Sequence, residues 1–340
     1  MSSFKRQKIA FVILLLAFPL MFVLNLMVGS VAIGFSDLWH TLMGTTDSEA
    51  FYLIFWKSRL PKALTAVLCG AALSVSGLLM QTLFRNPLAG PYILGVSSGA
   101  GLGVAILVMG LGVFGITVSS TFSIPLASIM GSILVLLILF LVSLRLKDVM
   151  TLLILGIMIG SIATAFVGMI QYFTTDIQLK SFLLWTLGSL EGLSYKEISF
   201  LSSIIFVGLF FSLAINKPLN ALLLGDNYAK SLGVNLKSYR LMIILISGIL
   251  AGLITAYCGP IGFIGIIVPH LCRLLFKTSD HKILIPTSML LGAEILLLSD
   301  LISNLPPGNI QLPINSITSL IGIPIIIWII FNRQSISKSF

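Results

Sequence analysis

The sequence predicts an all-α chain that crosses a lipid bilayer about ten times. Three observations predict it. Of 340 residues, 57% are hydrophobic and only 9% are charged, with a mean hydropathy of +1.11. A soluble domain carries about 25% charged residues, so this chain cannot cover a water-facing surface. Apolar stretches of roughly bilayer length recur along the chain, and its basic residues fall mostly on one side of them. Strict apolar–polar alternation, the mark of a β-barrel, is absent.

A membrane helix needs about 17–25 apolar residues. The candidate spans are 8–28, 60–82, 92–113, 122–143, 149–172, 197–215, 239–257, 262–276, 283–301 and 314–331. The first follows the basic flank Lys5, Arg6 and Lys8. Its length of about 20 residues exceeds the 7–15 of a signal-peptide core, so it is read as a retained span. Pro61 fixes the start of the second span. Asn86-Pro87 and Gly90-Pro91 break the helix before the third. The eighth is short and is expected to be tilted, broken or partly buried in protein.

Small residues recur at every fourth position in Gly95/Gly99/Gly103, Gly156/Gly160/Thr164/Gly168 and Gly248/Gly252/Ala256. In lipid such stripes let helix backbones approach closely, and they are read as packing faces. The whole of 1–340 is read as one membrane domain, because no hydrophilic stretch is long enough to fold separately.

Charge sidedness sets the orientation. With the N-terminus inside, 15 of the 20 basic residues lie inside, among them Arg85, Arg145, Lys147, Lys230, Arg240, Arg333 and Lys338. Lys57, Arg59, Lys62, Lys180 and Lys196 lie outside with seven of the 11 acids, including Asp47, Glu191 and Asp300. Short cytoplasmic loops concentrate Lys and Arg, so both termini are expected in the cytoplasm. The net charge of +9 is this bias. There is no basic block to bind nucleic acid.

Other chemistries are missing from the sequence. There is no GxxxxGK[ST] loop, no HExxH and no GxSxG. His40, His270 and His281 are scattered. Cys69, Cys258 and Cys272 form no CxxC and are read as small packing residues. No catalytic residue, cofactor or metal is assigned. Glu294 is the one clear acid inside a span. It is expected to be neutral or hydrogen-bonded in the bundle, with a proton relay as the alternative.

Between the sixth and seventh spans, Gly225-Asp226 reads as a helix start with Asp226 accepting orphan N–H groups. Gly233 reads as a left-handed stop. A short helix is expected between them at the cytoplasmic face.

Several further segments carry a pattern in order: Arg59-Leu-Pro-Lys62, Gly70 to Gly77 with Gln81, Arg85-Asn-Pro-Leu-Ala89, Leu94 to Ala100, Trp185-Thr-Leu-Gly-Ser-Leu190, Leu224 to Val234, Gly262 to His270 with Arg273, Asp280-His281, and Leu312-Pro313. Together they resemble the permease subunits of type II ABC importers, which bring iron–siderophores, haem or cobalamin into bacteria. The resemblance covers nearly the whole chain. It implies a homodimer in the bacterial inner membrane, with the pathway at the dimer interface. It also implies two copies of an ABC ATPase inside and a substrate-binding protein outside, so that ATP hydrolysis belongs to another chain.

By the same resemblance, the loop at about 216–240 couples to the ATPase through Gly225, Asp226, Ala229, Leu232 and Gly233. Arg59 and Lys62 dock the binding protein. The fifth and tenth spans line the pathway together with Trp185, Gly188 and Ser189. The chain departs from the family at Lys62 and Asn304, where Arg is frequent, and at Gln311-Leu-Pro-Ile-Asn315 in place of Glu-Leu-Pro-x-Gly. Without the resemblance, a transporter driven by an ion gradient remains open; it would use intramembrane carboxylates near mid-membrane. A membrane-embedded enzyme would need paired titratable groups, which the spans lack.

Overall fold

A computed structural model describes residues 3–29, 31, 33–45, 48–111, 123–145, 148–306 and 311–331. Asp47, Lys147, Arg333 and Lys338, counted in the sidedness above, lie outside the described residues. So does the end of the third predicted span.

The described residues form helices and no strand. In chain order these are α1 (Ser3–Met27), α2 (Phe35–Leu42), α3 (Glu49–Ile54), α4 (Leu60–Phe84), α5 (Val96–Ala105), α6 (Ser123–Ser143), α7 (Val149–Tyr172), α8 (Asp176–Thr186), α9 (Tyr195–Ala214), α10 (Asn216–Leu223), α11 (Asp226–Ser231), α12 (Leu236–Cys258), α13 (Ile264–Phe276), α14 (His281–Ser303) and α15 (Ile314–Phe331). Wide π turns join α3 to α4 (Phe55–Arg59) and extend α5 (Ile106–Gly110).

Among the described residues, seven helices are long and apolar enough to cross a membrane, and three shorter apolar ones, Val96–Gly110, Ile264–Phe276 and Ile314–Ile329, fall at the remaining expected spans. Most ends fall within about five residues of the expected ones. The second span is the exception: it begins upstream and runs from Glu49 to Phe84, 36 residues. The eighth is 13 residues long, as its shortness implied.

Helix ends follow local chemistry. Asp148, Asn235 and Asp280 cap α7, α12 and α14 by accepting backbone N–H groups. Ser194 and Glu197 form a reciprocal capping box at the start of α9. Several short helices were not legible in the sequence. The polar stretches 34–59 and 173–196 contain α2, α3 and α8, which are too short to register as spans.

The helices are not equivalent. The most apolar window of the α4 span is 83% buried, against 17% for α1 and for α7. α4 is therefore the centre of the bundle, enclosed by α9, α12, α13 and α14. α1 turns Val12, Ile13 and Leu16 outward, as a lipid-facing surface requires, and α7 leaves Ile154, Met158 and Ile162 uncovered in the single chain.

Water does not drive helix association in a bilayer, so close packing must do it. At Gly77 an added Cβ would run into the backbone of Gly265, and at Gly70 into that of Gly292. These glycines let α4 touch α13 and α14 backbone to backbone. The predicted stripes behave similarly: Gly99 and Gly103 meet α6, and Gly156 and Gly160 meet the turn before α5. Gly168 is different, with nothing within 4 Å of an added Cβ.

This contrast is testable. Gly77→Val should abolish recovery of monodisperse protein, because two backbones cannot separate without unpacking α4; overpacking costs about 1–3 kcal/mol even where side chains alone must yield. Gly168→Ala should leave thermal stability within about 1 kcal/mol of wild type, or raise it. Equal behaviour of the two variants in size-exclusion chromatography would contradict the packing described.

Candidate functional site

Two polar constellations stand at opposite ends of α4. At the N-terminal end the Lys62 ammonium donates to three oxygens: Glu191 Oε1 at 2.9 Å, Asp300 Oδ1 at 3.0 Å and Asn304 Oδ1 at 3.1 Å. Three N–H groups thus meet three acceptors. The second oxygen of Asp300 accepts from Asn25 Nδ2 at 2.9 Å, which brings in α1. Gln311 Nε2 donates to Glu191 at 2.7 Å. Burial alone would push the Glu191 carboxyl up, but Lys62, the Gln311 amide and the charge of Arg59 outweigh it and hold it below its ordinary value.

Arg59 and Lys62 were expected to present charge to a partner. Both are instead buried, each 7% exposed. Arg59 donates to the Val31 carbonyl at 3.0 Å and fills the space beside Gly29. A buried cation must be paired, and Lys62 is paired within its own chain. Glu191 is the exposed member of the group, with a side chain 39% accessible.

The departures from the family pattern fit this arrangement. A guanidinium at position 304 would face the Lys62 ammonium, whereas Asn304 supplies an oxygen. A carboxylate at 311 would face Glu191, whereas Gln311 supplies an N–H. Asn315 accepts from Gly262 N at 3.0 Å and donates its own N–H to the Leu187 carbonyl at 3.2 Å.

That last bond reaches the predicted pathway segment. Gly188 adopts φ +74°, and Ser189 N donates to the Cys258 carbonyl at 2.8 Å. Residues 187–190 are thus stitched to the end of α12 and the start of α15. Trp185 lies one turn earlier, its ring 6.1 Å from that of Phe182. A cavity of about 260 Å³ opens here, lined by Lys62, Leu187, Gly188, Glu191, Asp300 and Leu312.

Inside the bundle, Gln81 on α4 links α13 by accepting from Arg273 and donating to the Ile266 carbonyl. Glu294 is 8% exposed, and its Oε1 lacks a hydrogen-bond partner. The Cys69 and Cys258 thiols, distant in sequence, lie 3.4 Å apart. All three cysteines are free.

At the C-terminal end of α4, Arg85 takes the left-handed conformation, φ +46°, that stops the helix. Its Nε donates to the Leu222 carbonyl at 3.0 Å, and its Nη2 meets Asp226 Oδ1 at 2.6 Å. The other oxygen of Asp226 pairs with Arg240 on α12. Asp226 was expected to cap α11. The cap is Gly225, at φ +112°, and Asp226 is the first helical residue; its carboxylate serves as an ion-pair hub instead. Gly233 has φ +79° just beyond α11, as expected. Ala229 is fully buried beneath α11, while Leu224, Tyr228 and Leu232 are 65%, 50% and 59% exposed.

The sequence matches the FecCD transport family over residues 14–332. The chain belongs to that family. It is 38% identical over 332 residues to the hemin transport system permease protein HmuU of Yersinia pestis, covering 94% of this chain and 96% of that one. It is 36% identical over 295 residues to the vitamin B12 import system permease protein BtuC of Escherichia coli, covering 86% and 88%. Among solved structures it superposes on an inward-facing metal-chelate type ABC transporter with a TM-score of 0.83 and 30% identity, over 95% of this chain and 99% of that one.

The chain is thus a FecCD permease subunit of an ABC importer and a multi-pass membrane protein. In this permease the structure brings Lys62, Glu191 and Gly188–Ser189 together around one cavity, and Gly225 through Gly233 into one ordered loop. No local signal marks Glu191, Asp300 or Arg85 as partners, since each pairs across more than a hundred residues.

The Lys62 cluster makes two expectations. Lys62→Met strands the buried Asp300 carboxylate and should cost about 3–5 kcal/mol. Lys62→Met with Asp300→Asn should recover most of that loss in thermal unfolding; equal stability of the single and double variants would contradict the pairing. Acid should loosen the Glu191 arm. Its folded pKa lies below the unfolded value of about 4.3, so its contribution is complete above that value and lost as pH falls through the folded one. Glu191→Gln should remove that part of the pH dependence.

Proposed function

We propose that this permease works as a homodimer that imports an iron-chelate, haem or cobalamin-type cargo across the bacterial inner membrane, driven by two copies of a separate ABC ATPase. An extracytoplasmic binding protein delivers the cargo. The single observation that carries the reading is the near full-length match to ABC importer permeases, HmuU and BtuC among them. The resemblance already implied iron–siderophore, haem and cobalamin.

Both termini are proposed to be cytoplasmic, which puts α10–α11 inside. Supporting this, the loop is held rigidly at Ala229 and Asp226 and leaves Leu224, Tyr228 and Leu232 uncovered. An exposed apolar crest on a fixed base suits docking of another protein. Gly225, Asp226, Ala229, Leu232 and Gly233 are assigned to ATPase coupling on this ground.

Outside, the docking role of Arg59 and Lys62 is proposed to be indirect. They position the Glu191 rim and the 187–190 segment, where Trp185, Gly188 and Ser189 border the proposed pathway. α7 and α15 are proposed to complete the pathway at the dimer interface. Their outward faces carry Phe166, Met169, Leu320 and Ile323, which a second copy would cover. An ion-gradient mechanism would rest on Glu294, since Asp300, the other acid of α14, is already paired with Lys62.

Reconstitution tests the reading. Uptake into proteoliposomes should require the ATPase and ATP and should persist when proton and sodium gradients are collapsed; gradient-driven uptake without ATP would refute it. Cysteines placed at Ser2 and Ser339, which lie outside the described residues, should resist labelling from outside intact cells. Gly233→Val places a β-branched residue at positive φ, a strain of about 1–2 kcal/mol. Co-purification of the ATPase should then fall while membrane insertion persists, and unchanged co-purification would remove the loop from the coupling role.

A further inference from the structure

The polar stretch between the first two spans carries an exposed apolar face that belongs to neither constellation described above. It lies on α2, whose residues divide among three faces. Leu38 and Thr41, three positions apart, are buried against the bundle. Phe35, Trp39, Leu42 and, just past the helix end, Met43 recur at helical spacing and are 47–65% exposed. Ser36 and His40, four positions apart, are also exposed, and the His40 ring bonds to the Thr45 hydroxyl at 3.0 Å. At 3.6 residues per turn the four apolar side chains fill an arc of about 100°, between the buried face and the polar one.

We propose that α2 lies in the plane of the bilayer surface. Phe35, Trp39, Leu42 and Met43 then sit among the lipid chains nearest the headgroups, while Ser36 and His40 stay in water. A helix lying in the membrane boundary needs this division into an apolar and a polar side. The same four side chains turned to water would form an apolar patch on an eight-residue helix, which a soluble surface rarely tolerates.

The level of the helix in the molecule points to lipid. The apolar run of α1 ends at Met27, and the Ile33 N–H donates back to the Met27 carbonyl at 3.1 Å. Arg59, just before α4, donates to the Val31 carbonyl at 3.0 Å. The entry to α2 is thus pinned where one membrane helix ends and another begins. α1 stays uncovered up to this level, with Leu16, Leu20 and Leu24 exposed one turn apart, and α2 packs against α1. The apolar face of α2 therefore adjoins a surface that already faces lipid.

The residue types agree. Trp39 has an exposed aromatic neighbour in Tyr52 of α3, which packs on α2 and sets its ring 6.4 Å from that of Trp56. Tyr and Trp concentrate at membrane–water boundaries because one end is apolar and the other polar. The arc itself holds no charge that would fix the register of a protein partner. Seated in this way, α2 holds the Val31 carbonyl, and with it the buried Arg59 side chain, at a set depth.

The test is nitroxide accessibility in the full chain reconstituted in bilayers of phosphatidylcholine and phosphatidylglycerol. Trp39→Cys, Met43→Cys, Ser36→Cys and His40→Cys each receive one label; Cys69, Cys258 and Cys272 are buried and do not compete for it. Oxygen, which partitions into hydrocarbon, should relax the labels at 39 and 43 more than a water-soluble nickel chelate does. The order should invert at 36 and 40. The proposal is overturned if all four labels favour nickel, which would put the whole helix in water. It is overturned also if the labels at 39 and 43 are shielded from both reagents, which would make the face a contact with a second copy of the chain. A label-free readout uses phospholipid brominated near the head end of its chains. It should quench less emission in Trp39→Phe than in wild type, and equal loss in the two would contradict the placement. These outcomes are the same whichever side is cytoplasmic and whatever the cargo, so failure here and failure of ATP-driven uptake are read separately.

Discussion

Everything in this permease hangs on backbone contact along α4. A helix at the middle of a membrane bundle gains nothing from excluding water, so it is held by dispersion over surfaces that must touch. Gly70 and Gly77 remove the side chains that would keep α13 and α14 away. Hydroxyls then complete the seam: Ser76 and Ser247 lie 2.6 Å apart between α4 and α12, and Thr82 meets His281 at 2.7 Å. With its surroundings fixed, α4 has little room to bend or slide.

The consequence lies at its ends. Lys62 and Arg85 are 23 positions apart, about 35 Å of helix. Lys62 gathers the C-terminal ends of α1 and α14 and the 187–191 segment. Arg85 gathers α10, α11 and, through Asp226, α12. One rigid element therefore anchors both the cavity beside Lys62 and the loop that carries the exposed apolar crest of α11. The two ends are anchored differently. The outer cluster is buried and stoichiometrically satisfied, and it keeps only Glu191 within reach of solvent. The inner cluster is half exposed, with the Arg85 and Asp226 side chains 41% and 40% accessible, so solvent screens it and it can be remodelled cheaply.

Much of this was legible in the sequence, and the reasons are physical. Spans are long apolar runs, and hydropathy counts them directly; glycine stripes announce close packing; Gly225 and Gly233 announce positive φ. Charges at the rim were less legible. Arg59 and Lys62 look like surface cations because their partners are remote in the chain: Asp300 and Glu191 for Lys62, a backbone carbonyl for Arg59. Asp226 looked like a cap because short-range logic favours one, whereas two arginines from elsewhere claimed its carboxylate. Residues 304, 311 and 315 read as departures from a pattern until their contacts made them consistent parts of one cluster. Short helices such as α8 escaped notice because they neither span nor alternate.

The central claim, that α4 is one rigid link between the two faces, is tested most directly by a distance along it. Spin labels at Lys57 and Leu88, both exposed just beyond its ends, can be measured by double electron–electron resonance in the nucleotide-free and ATP-bound transporter. The account predicts the same distance distribution in both states. A shift approaching one helical turn, about 5 Å, would mean that α4 bends or unwinds during the cycle and would contradict it.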